Sequence, residues 1–199
     1  MKADIVILTA GKDNLIARCL ESIDKHVDKS SLGSVIVCTT SPDAEEAMRP
    51  LLLKYVGGCR LDLKVTRMEY NYAKCNNAML PLCTHERILF LNDDVELLED
   101  AVTPCLKLLE DEEVGTAGIQ LLYPNGKIQH GGIFAAWSES TGCFMGVGHI
   151  GIKTTNVLPD LLTFGSTGAF LMVRKSDFEK AGGFNELYEH CYEDVELNA

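Results

Sequence analysis

No C-x-x-C pair occurs among the eight cysteines, so the usual sequence signs of a zinc site or a thioredoxin-type motif are missing. No apolar run comes near the roughly 18 residues that a membrane-spanning helix needs. There is no internal repeat, no linker and no low-complexity tract, so a single domain is expected over residues 1–199. Positive charge is scarce: Lys and Arg number 18 against 29 Asp and Glu, for a formal net charge of −11. Neutralising a nucleic-acid backbone takes clustered Lys and Arg, which excludes nucleic acid as a partner. A small anionic ligand is still allowed, because a bound cation masks local negative charge.

What is present fits a folded α/β domain. Of 199 residues, 46% are hydrophobic and 24% charged, enough for a core and far from the composition of a disordered chain. Cys19, Cys38, Cys59, Cys75, Cys83, Cys105, Cys143 and Cys191 mostly sit among apolar neighbours, where cysteine acts as a small buried hydrophobe. The domain size and the lack of a signal-peptide pattern point to reduced thiols and a cytoplasmic location.

Apolar runs alternate with stretches of helical period. Asp4–Thr9 reads as a strand, and Leu15, Ile16, Cys19, Leu20 and Ile23 lie at helical spacing behind it. Ser34–Cys38 is a second strand, followed by a helix that Asp43 can cap and that runs to about Tyr55. Leu61–Thr66 is a third strand, with a helix from near Ala73 to Cys83. Arg87–Leu91 is a fourth, and Asp100 opens the next helix. Gly115–Leu122 reads as a fifth strand and Phe164–Arg174 as another; Ser176 can cap a short helix that Gly182-Gly183 stops. The stretch from about Ala135 to Thr163 lacks period and is long for a loop, so it is expected to be functional or mobile. The alternation predicts an open, mostly parallel sheet with helices on both faces, whose ligands bind beyond the carboxyl ends of the strands.

Asn92-Asp93-Asp94 stands at such an end. Adjacent carboxylates repel unless a cation or positive group relieves them. Mg²⁺ and Mn²⁺ take oxygen ligands, commonly one or two carboxylates plus substrate phosphates. A solvated turn or a helix cap would account for the same residues.

Leu91-Asn92-Asp93-Asp94-Val95-Glu96 resembles the D-x-D region of glycosyltransferase family 2. The resemblance extends in order through Ile5–Thr9, Asn71–Asn77, Val114–Gly132, Gly168–Arg174, Gly182–Glu186 and Tyr192–Leu197. It implies a GT-A (Rossmann-like) fold, incomplete at its C-terminus, that moves a sugar from a nucleotide diphosphate to a glycan or lipid-linked acceptor with inversion. Asp94 is then the metal ligand for Mg²⁺ or Mn²⁺, and Asp93 a contact of the ribose or of the metal's shell. Thr9 and Asp43 become nucleotide contacts. Membrane proximity would come through regions outside these residues. Two places depart from the family pattern: Cys38 stands where an Asp usually helps hold the base, and Ala10 where an aromatic residue is common.

Sugar transfer makes two demands. Charge develops on the leaving diphosphate, which a cation stabilises, and the acceptor hydroxyl needs a carboxylate to take its proton. Glu193-Asp194 meets the second demand. The resemblance implies Asp194 as the base, with Glu193 as the fallback. The same pair would also suit the first turn of a helix. His130 and His149 are candidate pyrophosphate or acceptor contacts, or packing residues, and Trp137 is either a sugar-stacking ring or a core plug. Two other functions stay open: a sugar- or nucleotide-binding module without turnover, and a nucleotidyltransferase. The latter would carry a Gly-rich basic loop after the first strand, where this chain has only Gly11 and Lys12.

Overall fold

The computed structural model describes residues 1–56, 61–140, 142–155, 158–188 and 191–199. Strands β1 (Ala3–Thr9), β2 (Leu32–Thr39), β3 (Asp62–Arg67) and β4 (Arg87–Asn92) alternate with helices α1 (Leu15–His26), α2 (Pro42–Val56) and α3 (Tyr72–Met79). After α4 (Val102–Leu108) come the short strands β5 (Thr116–Ala117), β6 (Leu121–Leu122) and β7 (Ile128–His130). A hairpin of β8 (Ile133–Ser138) and β9 (Cys143–His149) precedes β10 (Phe170–Arg174), α5 (Lys175–Lys180) and α6 (Glu193–Leu197).

The main sheet has the order β3-β2-β1-β4-β10-β5. Its first four strands are mutually parallel, and β10 runs antiparallel to both β4 and β5. The mostly parallel α/β sheet read from the sequence is therefore present. Its helices cover both faces, as the alternation of β1 shows: Ile5 and Ile7 pack with Leu20 and Met48 on one side, Val6 and Leu8 with Ala73 and Phe178 on the other. The order of the strands reverses at β1 and β4. At such a switch point the connections leave in opposite directions and open a crevice at the carboxyl ends.

Several local expectations shift. The run 115–122 is not one strand. Gly118 lies so close to Ser166 that a Cβ would meet its Oγ at 1.8 Å; the chain leaves the sheet there, and Leu121–Leu122 pairs with β7 in a separate ribbon. The strand expected from Phe164 begins only at Phe170, because the preceding residues cross the mouth of the crevice. The long loop after Ala135 contains the hairpin β8–β9, hidden by its glycines; Gly148 sits opposite Phe134 and against its ring. Helix caps also move. Ser41 Oγ, rather than Asp43, accepts from Ala44 N–H at 3.1 Å, and Glu86 Oε1 accepts from Ser176 N–H at 3.0 Å. Asp100 does cap α4, accepting from Val102 and Thr103 N–H, and α5 ends at Gly182 and Gly183, both with positive φ.

Cys19, Cys38, Cys75, Cys83, Cys105 and Cys191 are free thiols, all but Cys191 buried; Cys59 lies outside the described residues. Among the described residues no helix is long and apolar enough to cross a membrane.

Candidate active site

A cleft of about 370 Å³ opens at the switch point, and Thr9, Asp93, Asp94, Thr167, Glu193 and Asp194 all line it. The strand register explains the first pair: Leu8 is level with Asn92, so Thr9 and Asp93 emerge side by side. The Thr9 hydroxyl accepts from Gly11 N–H at 3.1 Å. Gly11 has φ 76°, and a Cβ on it would fall 2.5 Å from the Ala44 backbone, so only glycine lets this turn close against α2. Beneath Asn92 the Cys19 thiol reaches its carbonyl at 3.7 Å; burial and the charges of Asp93 and Asp94 push that thiol far up. It is an inert packing group.

Burial pushes the Asp93 carboxyl up, the Thr9 hydroxyl opposes this, and the Asp94 charge adds to it. Asp94 projects from the strand end and is exposed. Glu193 is buried and Asp194 half-buried at the start of α6. Burial raises Glu193, a bond from its own backbone opposes, and the neighbouring Asp194 charge adds to the rise. Asp194 is held on both oxygens. Oδ1 accepts from Val195 N–H at 2.8 Å, and Oδ2 accepts from Gly168 N–H at 2.8 Å and from the Thr167 hydroxyl at 3.3 Å.

The fold thus brings together Thr9, Asp93, Asp94, Glu193 and Asp194. It does not bring in Asp43, which is exposed in the first turn of α2 and does not line the cleft. Ser41 has taken its capping role, and the start of α2 is occupied in packing on the Gly11 turn. Cys38 is fully buried between the sheet and α3, so it offers no polar edge to a base. Trp137 is 56% exposed and is therefore no core plug; it too lies off the cleft lining. Thr167 and several other polar lining residues escaped sequence reasoning. Tyr72 donates its hydroxyl to Gly168 O at 2.8 Å, Tyr70 stands half-exposed at the mouth, and Lys12 is the one cation in the lining among the described residues. A helix-start Tyr and a turn Lys carry no sequence signal of their own.

The acidic lining suits a divalent cation. Among the described residues no three His, Cys, Asp or Glu side chains form a ready-made cation cage. Mg²⁺ and Mn²⁺ commonly take one or two carboxylates and complete their shell with phosphates and water.

The sequence profile of Glycosyl transferase family 2 matches residues 4–182. The chain belongs to this family. The family match stops short of Glu193 and Asp194, so their place in the cleft is a finding of the geometry. Among relatives, the chain is 31% identical over 134 residues to the O-antigen biosynthesis protein RfbC of Myxococcus xanthus, covering 64% of this chain and 10% of that protein. It is 28% identical over 114 residues to the rhamnosyltransferase WbbL of Escherichia coli K12, covering 55% of this chain and 43% of that one. The chain thus spans less than half the length of either relative. In structure it resembles a mannosyltransferase from Pyrobaculum calidifontis in complex with GDP-Man and Mn²⁺, with a TM-score of 0.68 and 18% identity over 99% of this chain and 50% of that one. The family-2 fold here is the GT-A fold.

Proposed function

We propose that the cleft binds a nucleotide-diphosphate sugar through Mg²⁺ or Mn²⁺ at Asp94 and passes the sugar, with inversion, to a glycan or lipid-linked hydroxyl. The observation that carries this reading is the meeting of Asp93-Asp94 and Glu193-Asp194, a hundred residues apart in sequence, in one crevice. A family-2 profile match, a structural relative solved with GDP-Man and Mn²⁺, and relatives named for O-antigen biosynthesis and rhamnosyl transfer support it. The cation would neutralise charge on the leaving diphosphate. Thr9 and Asp93 form the wall against which the ribose fits, with Asp93 accepting from a ribose hydroxyl. Lys12 adds a positive charge to the same lining. Asp194 takes the proton of the acceptor hydroxyl as its oxygen bonds to the anomeric carbon, and the bond from that carbon to the diphosphate breaks on the opposite face. One displacement inverts the centre. The bonds from Thr167 and Gly168 keep Asp194 aimed. We place the activity in cell-surface polysaccharide synthesis, on the cytoplasmic side and near the membrane that carries a lipid-linked acceptor.

The direct test is transfer from a panel of nucleotide sugars. Asp194→Ala should lower turnover by about 10²–10⁴-fold while nucleotide binding persists. Full turnover in Asp194→Ala would remove the base from this scheme, and binding without turnover in the unaltered protein would make it a binding module.

A further inference from the structure

His130 is 1% exposed, and the scheme above gives it no task. Both its ring nitrogens are engaged. Nε2 lies 3.3 Å from the backbone N of Thr167, and Nδ1 lies 2.7 Å from Nδ1 of His149. A peptide N–H can only donate, so Nε2 is the acceptor and the ring proton sits on Nδ1, directed at His149. Burial and the His149 charge push His130 down to about 4, with Asp194 opposing; the neutral ring needed for this arrangement is the one present at ordinary pH.

The residue that His130 grips is the one that grips Asp194. The Thr167 hydroxyl and the Gly168 N–H both donate to Asp194 Oδ2. Tyr72 holds the Gly168 carbonyl from the opposite side, and Asn198 Nδ2 donates to the Ser166 carbonyl at 3.1 Å. The strap 166–168 therefore has its polar groups fixed by side chains from β7, α3 and the end of α6.

We propose that His130 is a positioning residue for Asp194: through the Thr167–Gly168 backbone it sets where the carboxylate that takes the acceptor proton stands. The proposal rests on the reading of Asp194 as the base. Without the imidazole, the half-buried Thr167 N–H loses its partner and the strap shifts to find another. A displacement near 1 Å at a reacting group costs about a hundredfold in rate. The groups proposed to hold the donor, Thr9, Asp93 and Asp94, stand at the ends of β1 and β4, where the bond from Asn92 N–H to Ala169 O at 3.0 Å belongs to the sheet beside the strap rather than to residues 166–168.

The experiment compares His130→Leu, which removes the acceptor, with His130→Gln, which restores a carbonyl oxygen at similar reach. His130→Leu should lower kcat about tenfold or more, leave the donor KM within about twofold, and be largely rescued by His130→Gln. An unchanged kcat, a loss carried equally by donor KM, or a Gln variant no better than Leu would overturn the proposal. If His130→Leu does not fold, His130→Asn, whose shorter amide does not reach the Thr167 N–H, carries the test: a kcat-only loss relative to His130→Gln supports the proposal and an equal kcat in the two refutes it. Asp194→Ala is measured alongside. If that variant keeps its turnover, the assignment of the base and the role of His130 fall together. If it is inactive and His130→Leu is unaffected, only the role of His130 falls.

Discussion

Asp4 shows how much one side chain can hold in place. It is fully buried at the start of β1 and accepts N–H bonds from Ser34, Thr84 and His85, with His85 Nδ1 at 2.8 Å on its other side. Burial alone would raise its pKa, but the bonds from His85, Ser34 and Thr84 outweigh it and hold the carboxyl below its ordinary 3.8. A depressed folded pKa means stability that is present above the unfolded value and lost as pH falls through the folded one. Asp4→Ala should therefore cost about 3 kcal/mol at pH 7, measured by urea unfolding, and the gap to the unaltered protein should narrow below about pH 4. A gap independent of pH would show that shape, not charge, is what Asp4 supplies. At this scale the cleft carboxylates were readable because Asp93-Asp94 is an adjacent acidic pair directly after an apolar run, and because Glu193-Asp194 falls in its place in the order of the family resemblance. His130 was not, because its meaning lies in a partner 19 residues away and in a backbone N–H that no motif encodes.

Among the elements, the segment between β9 and β10 decides the geometry of the site. Gly168 is pinched between Asp194 and Tyr72, and a Cβ on it would stand 2.8 Å from the Tyr72 hydroxyl. Gly168→Ala should reduce turnover about tenfold or more by moving the strap, and pairing it with Tyr72→Phe should recover part of the loss by making room. A double-mutant cycle reads this as coupling between the two sites; additive losses would show that the contact is slack. The strands β1 to β4 were legible because each is a continuous apolar run followed by a helical period. Direction was not: the residues of β10 look like any buried strand, and only the path of the preceding strap makes it antiparallel. Nor was the split of 115–122 legible, since an apolar run does not record that Gly118 must yield to Ser166. The hairpin β8–β9 carries glycines where alternation would otherwise have announced it. Asp43 stands off the cleft lining for a related reason: a capping Asp two residues after a serine reads the same whether or not the serine takes the cap.

For the whole molecule, a chain with a formal net charge of −11 gathers Asp93, Asp94, Glu193 and Asp194 in a single crevice. That concentration of like charge is unfavourable unless a cation enters with the ligand, and the reversal of strand order at β1 and β4 is what places it at the mouth of the sheet. The most direct measurement is the melting temperature with GDP or UDP, with and without Mn²⁺, for the unaltered protein and for Asp94→Ala. Ligand at about a hundred times its Kd adds roughly 2.7 kcal/mol, a rise of about 5–10 °C for a domain of this size. The rise should appear only when nucleotide and Mn²⁺ are both present, and should be lost in Asp94→Ala. An equal rise without the metal, or an undiminished one in the variant, would contradict binding through a cation at Asp94.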